Sequence, residues 1–176
     1  MSDIAVGRSA DSAAMLPGIR GLLDSAFAGD FSDADWDHTL GGWHAVARAG
    51  DTVIAHAAVV PRTLYVAARP VRVGYVEGVA TAPERQGEGL GSAVMTEITA
   101  VVRRDFDMGA LSTSRPAFYE RLGWERWRGP TYVRRGEATV RTAEEDAGIM
   151  VLRFGASRDI SLVEPICCEE RPGDDW

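Results

Sequence analysis

The run Pro83-Glu84-Arg85-Gln86-Gly87-Glu88-Gly89-Leu90-Gly91 places a glycine-rich loop directly ahead of Leu90, Val94, Met95, Ile98, Val101 and Val102, which recur at helical spacing. A glycine loop that opens a helix suits a pyrophosphate: unpaired backbone N–H groups converge there, and the helix dipole favours negative charge. The same residues also make an ordinary tight turn, so both readings stand at this level. The loop lacks the Gly-Lys-Ser/Thr ending of a P-loop, and Gly87, Gly89 and Gly91 do not spell the dinucleotide G-x-G-x-x-G. A second set of residues is acidic. Asp30, Asp33, Asp35 and Asp37 share one short segment, and Glu164, Glu169, Glu170, Asp174 and Asp175 gather around Arg171. Such clusters are either a solvated face or a trap for a polycation.

Elements must hold these groups in place. Met15, Ile19, Leu22, Leu23 and Phe27 predict an amphipathic helix over about 13–28. Ser32 with Asp35 three positions on, leading to Trp36 and Leu40 and ending at Gly41-Gly42, predicts a short capped helix; Asp35 therefore has a structural use as a capping acid as well as a chemical one. Residues 43–48 and 52–60 are β-prone runs split by Ala49-Gly50-Asp51, and 63–67 and 71–81 repeat the pattern around Arg69-Pro70. The expectation is an antiparallel meander of four strands that feeds the glycine loop and its long helix. Further strands are expected over 110–113, 131–135 and 149–154, with a helix at 116–122 started by Pro116 and stopped by Gly123. The sum is an α+β (mixed α/β) fold with a largely antiparallel central sheet flanked by helices.

Composition sets outer limits. The chain has 176 residues, 45% hydrophobic and 26% charged, with a formal net charge of −7. It fits one domain over 1–176, with no repeat or linker-like tract. The negative charge argues against nucleic acid as a partner. No apolar run approaches the roughly 20 residues that span a bilayer, and the opening MSDIAVGRSAD lacks the features of a signal peptide, so a cytoplasmic protein is expected. Cys167 and Cys168 are adjacent, which suits neither a disulfide framework nor a zinc site. His38, His44 and His56 have no metal-site spacing. His44 and His56 fall in predicted strands, where a hydrogen-bonded structural histidine is expected, and no chemical role is assigned to them.

The segment Gln86-x-x-Gly89-x-Gly91 resembles the Q/R-x-x-G-x-G/A signature of the GNAT acetyltransferases. The preceding Val76-Glu77-Gly78-Val79-Ala80-Thr81 is similar to that family's cofactor strand, and Ala117-Phe118-Tyr119-x-x-x-Gly123-Trp124 to its second cofactor segment. The resemblance implies acetyl-CoA as cofactor, held by Val79, Ala80 and Thr81 and by Gln86, Gly87, Glu88, Gly89, Leu90 and Gly91, with the Val79 N–H on the acetyl carbonyl. A narrower resemblance runs over nearly the whole chain. Gly29-Asp30-Phe31 through Asp35-Trp36, His38-Thr39-Leu40-Gly41-Gly42, His56-Ala57-Ala58, Gly74-Tyr75-Val76-Glu77-Gly78-Val79, Gly129-Pro130-Thr131 and Gly173-Asp174-x-Trp176 resemble aminoglycoside 2′-N-acetyltransferases. Two stretches depart from that pattern: Ser112 to Tyr119 is shorter by a couple of residues, and Glu144-Glu145-Asp146 is offset.

What this narrower resemblance implies is a homodimeric acetyltransferase whose substrate is a polycationic aminoglycoside, bound by Asp30, Asp35, Glu77, Gly78, Ser112, Glu145 or a neighbour, Asp174 and Trp176. Only a neutral amine attacks a thioester, whereas an acidic pocket favours the ammonium, so a base must act, directly or through water. Glu77 is the candidate, with the Trp176 carboxylate as alternative. Tyr119 is the candidate acid for the departing thiolate. Two other outcomes remain open: an acetyltransferase of another polyamine or small amine, and a non-catalytic cation- or drug-binding protein.

Overall fold

The computed structural model describes residues 3–176. In chain order the elements are β1 (Asp3–Arg8), α1 (Leu16–Ala26), α2 (Asp33–Thr39), β2 (Trp43–Ala49), β3 (Thr52–Val66), β4 (Arg69–Thr81), α3 (Leu90–Asp105), β5 (Met108–Ser112), α4 (Pro116–Glu120), β6 (Glu125–Arg126), β7 (Thr131–Arg135), β8 (Ala138–Arg141), β9 (Ile149–Arg153) and β10 (Ile166–Glu169). Short 3-10 helices span Pro83–Arg85, Ala143–Glu145 and Gly155–Asp159. The chain divides into two compact units, one of residues 1–60 and 76–101, the other of residues 61–75 and 102–176.

In the first unit β2 pairs antiparallel with β1 on one side and with the start of β3 on the other. Ala45, Ala47, Ala55, Ala57 and Ala58 on β2 and β3 are buried, as are Ile19, Leu22 and Leu23 of α1. Each of these larger side chains contributes roughly 1.5–3 kcal/mol by leaving water. Ser32 caps α2 as its spacing with Asp35 requires: the Ser32 hydroxyl accepts the Asp35 N–H at 3.1 Å, while the Asp35 Oδ2 accepts the Ser32 N–H at 2.9 Å and its hydroxyl at 2.8 Å.

In the second unit β5 lies parallel to β4, β9 lies antiparallel to both β5 and β6, and β10 joins β3 antiparallel and β7 parallel, with β8 antiparallel on β7. Parallel pairs therefore sit within a largely antiparallel arrangement. Its core is Tyr75, Met108, Leu111, Ile149, Met150, Leu152 and Ile166. Pro116 opens α4, and Gly123, at φ 86°, follows it as the sequence pattern predicts.

One expectation needs correction. The runs 52–60 and 63–67 are a single strand of 15 residues, so the meander has one strand fewer than expected. Pro61 lies within it because β2 pairs no further than Val59 and β10 begins at Tyr65. A proline, which cannot donate to a ladder, is tolerated where the neighbouring strand changes. The strands β6, β8 and β10 carry no period strong enough to announce themselves in a short exposed or edge run.

The turn from β3 to β4 holds Ala67 and Ala68 at φ 46° and 64°. Left-handed alanine costs roughly 1–2 kcal/mol per residue, and this pair of angles is the one that Asn-Gly adopts readily. The double substitution A67N/A68G is expected to stabilise the protein by about 1 kcal/mol, read as a higher urea midpoint at unchanged slope; an unchanged or lower midpoint would refute the strain.

Candidate active site

In the first unit, the second half of β4 carries Glu77, Gly78 and Val79 half-buried, then buried Ala80 and half-buried Thr81. Gly78 takes φ 57° within the strand, and a Cβ there would stand 3.0 Å from Thr39 Cγ2 and 3.5 Å from the His56 ring. Both conformation and space thus call for glycine. After the 3-10 turn Pro83–Arg85, the loop residues Gln86, Gly87, Glu88 and Gly89 are exposed, and Gly87 and Gly89 take φ 85° and 81°. A Cβ on either glycine would meet nothing within 4 Å, so positive φ is what selects glycine there. The first helical bond is donated by the Ala93 N–H to the Gly89 carbonyl at 3.0 Å. The amides of the preceding turn have no intrahelical acceptor, the arrangement that receives an anion. Glu88 would oppose an anion, but its carboxylate takes two hydrogen bonds from Arg85 at 2.7 and 2.8 Å, which hold it below its usual pKa.

Also in this unit, Asp30 is exposed on the segment leading to α2. Arg20 fixes that segment, donating to Asp24 at 2.8 Å, to Asp33 at 3.0 Å and to the Phe31 carbonyl at 3.4 Å. The capping alternative for Asp35 is realised through its Oδ2.

In the second unit, Tyr119 of α4 is buried, 7% exposed, edge-on to Phe118 and Trp124. Burial pushes its phenol up to about 12, against smaller opposing effects of a hydrogen bond with Thr113 and the charge of Arg115. It is a protonated phenol at neutral pH. Ser112, Glu145 and Asp174 come together here. Glu145 shares a hydrogen bond with Ser112, and burial, then the charges of Asp174 and Glu144, raise its carboxyl above the ordinary value. Asp146 next to it is committed elsewhere: Arg141 holds its carboxyl down to about 2, and it also accepts from the Thr131 N–H at 3.0 Å and hydroxyl at 2.9 Å. Within 144–146, the geometry thus separates Glu145 from a structural Asp146.

Trp176 is docked, 3% exposed, its indole N–H donating to Thr142 Oγ1 at 3.2 Å. The Asp174 carboxylate accepts the Trp176 N–H at 3.1 Å, and Arg171 donates to the Asp174 carbonyl at 2.7 Å and to Trp176 O at 3.2 Å. Arg62 holds the Asp175 carbonyl at 2.8 Å and Arg135 its carboxylate at 2.7 Å. Cys167 and Cys168 are free thiols. Among the described residues no group of three His, Cys, Asp or Glu side chains could hold a metal, and no helix is long and apolar enough to cross a membrane.

His44 and His56 are the buried, hydrogen-bonded strand histidines that the sequence leads one to expect, but their contact with each other is new. His44 on β2 and His56 on β3 meet at 2.9 Å, and His56 reaches the Gly78 carbonyl at 2.7 Å. The signal was present in the hairpin register: Val46 opposes His56 and Ala58 opposes His44, so the two rings are diagonal neighbours on one face.

A family model described as an acetyltransferase (GNAT) domain matches residues 11–127. The chain belongs to the GNAT acetyltransferases. It is 44% identical over 163 residues to an aminoglycoside 2′-N-acetyltransferase of Mycolicibacterium fortuitum, covering 90% of this chain and 84% of that one. Among solved structures it resembles a GNAT family N-acetyltransferase (YhbS) from Escherichia coli in complex with CoA, at TM-score 0.68 and 20% identity over 98% of this chain and 93% of that one. It also matches a probable N-acyltransferase from Enterococcus faecalis, at TM-score 0.59 and 16% identity over 72% of this chain, but spans 33% of that longer protein. These two likenesses support the fold, an α+β domain with a mixed sheet.

The buried imidazoles set a pH dependence. Burial lowers His44 to about 4 and His56 to about 3 from 6.5, the latter helped by the charge of His44. The unfolded chain therefore binds these protons more readily. The stability that the pair contributes is complete above about pH 6.5 and is lost as pH falls through the folded values. Urea midpoints of the wild type and of H44Q/H56Q, taken at about pH 8 and pH 5, should show the wild type losing on the order of 2 kcal/mol per imidazole more than the variant; parallel losses would contradict this.

Proposed function

We propose that this acetyltransferase moves the acetyl group of acetyl-CoA to the 2′-amine of an aminoglycoside by direct attack, as a cytoplasmic homodimer in which residues 1–176 form one domain. The observation that carries the reading is the 44% identity, over 90% of the chain, with a protein named for that reaction. The loop amides from Gln86 to Gly91 receive the pyrophosphate. Val79 offers its N–H to the thioester carbonyl, where a donor aimed at the developing oxyanion lowers the barrier. Ala80 and Thr81 continue the strand along the cofactor.

Asp30, Gly78, Ser112, Glu145, Asp174 and Trp176 are the residues assigned to the ammonium and hydroxyl groups of the sugar. Asp35 joins them through Oδ1, since its Oδ2 serves the cap of α2. The raised carboxyl of Glu145 beside Asp174 and Glu144 supports this: clustered carboxylates with mutual repulsion gain by receiving a cation. Glu77 takes the proton from the substrate ammonium, through water, and the neutral amine so formed attacks. Glu77 is preferred to a carboxylate on Trp176, because the Arg171 contact at Trp176 O would lower the basicity of such a group. Tyr119 returns a proton to the departing thiolate.

Mass spectrometry of the protein with acetyl-CoA and two aminoglycosides, one with a 2′-amine and one with a 2′-hydroxyl, should show a single acetyl added to the first alone, and Y119F should lower kcat by roughly 10²-fold with aminoglycoside KM little changed. Acetylation of both drugs would refute the position; acetylation of neither, with turnover of another amine, would replace the substrate; an unaltered kcat in Y119F would remove its acid role.

A further inference from the structure

Five polar groups of the first unit are strung together across β2, β3 and β4. The Gly41 N–H donates to Ser9 Oγ at 3.0 Å; Ser9 Oγ lies 2.7 Å from His44 Nε2; His44 Nδ1 lies 2.9 Å from His56 Nε2; and His56 Nδ1 lies 2.7 Å from the Gly78 carbonyl oxygen. Both histidines are fully buried. Chemistry at the far end fixes the direction of every bond. A carbonyl oxygen only accepts, so His56 Nδ1 carries the proton. Burial keeps both rings neutral at pH 7, so His56 Nε2 accepts. His44 Nδ1 must then donate, its Nε2 must accept, and the single Ser9 hydroxyl proton goes to His44 instead of to the Gly42 carbonyl at 3.4 Å. Both rings are thereby held as the Nδ1–H tautomer, the less favoured one in free histidine.

The chain ends on the one peptide group that matters most for acetyl transfer. The Gly78 C=O and the Val79 N–H belong to the same planar unit and point in opposite directions in a trans peptide. The structure has no cis peptide bond among its described residues. Holding the carbonyl from one side therefore aims the N–H to the other, next to a Gly78 whose φ is 57°. A donor on the carbonyl also polarises the amide and strengthens its N–H as a donor.

We propose that His56, held in tautomer by His44 and Ser9, is a positioning residue that orients the Gly78–Val79 peptide so that the Val79 N–H faces the thioester carbonyl. The inference rests on the acetyl-transfer reading above. His56 touches neither substrate nor cofactor; it acts through the peptide.

Two measurements decide it. Nitrogen-15 spectra of the histidine rings at pH 7 should show a protonated Nδ1 and a bare Nε2 in both His44 and His56, and an Nε2–H tautomer in either would overturn the chain. In steady-state kinetics, H56L should lose at least tenfold in kcat with KM for acetyl-CoA unchanged, and H56N, whose amide can still donate to the Gly78 carbonyl, should recover most of the loss. A folded H56L with wild-type kcat, or an H56N no better than H56L, would refute the positioning role. Absence of any turnover in the wild type would instead refute the acetyl-transfer reading, while the spectra would still judge the chain, including where H56L fails to fold.

Discussion

The carbonyl of half-buried Gly78 receives its hydrogen bond from a buried imidazole, that of His56, at 2.7 Å. That bond ties β4 to β3, and through His44 and Ser9 to β2 and to the turn at Gly41. Each neighbour is chosen to allow it. Gly78 has no Cβ to strike Thr39 or His56, and Ala58, which opposes His44 in the register, is small. Removing one imidazole would leave the other's polar nitrogen without its partner in a dry place, a loss larger than that of one hydrogen bond.

The carboxylates divide by the company they keep. Glu88, Glu125 and Asp146 are each bound by an arginine and lie below their ordinary pKa. Glu145 is raised, with Ser112 as its hydrogen-bond partner and Asp174 and Glu144 as repulsive neighbours. Net charge alone does not mark an acidic site; the acids that arginine leaves to repel one another are the ones the proposed function assigns to a cation. Tyr119 is shifted the same way by burial, which holds its phenol protonated; its proposed acid role requires proton transfer in step with departure of the thiolate.

Local rules were legible wherever the cause was local. The cap at Ser32, the hairpin at Gly50, the proline start and glycine end around α4, and the glycine loop opening α3 all read directly from residue type and spacing. Pro61 misled because a proline in a β run reads as a break, and only the change of neighbouring strand from β2 to β10 explains its tolerance. The His44–His56 contact requires a register, and the order Ser9 to Gly78 requires three strands at once. The choice of Glu145 over Asp146 depended on knowing where Arg141 falls, and the docking of Trp176 on Thr142 joins residues 34 apart in sequence. These are long-range facts that a linear pattern does not carry.

The claim on which the account turns is that the Gly78–Val79 peptide presents its N–H to the acetyl carbonyl. The direct measurement is the amide proton resonance of Val79 in titrations with CoA and with acetyl-CoA. The account predicts that acetyl-CoA moves it downfield beyond any change caused by CoA, while the amides of Gly87 to Gly91 respond alike to both. A Val79 resonance that shifts equally with both ligands, or with neither, while the loop amides respond, would contradict it.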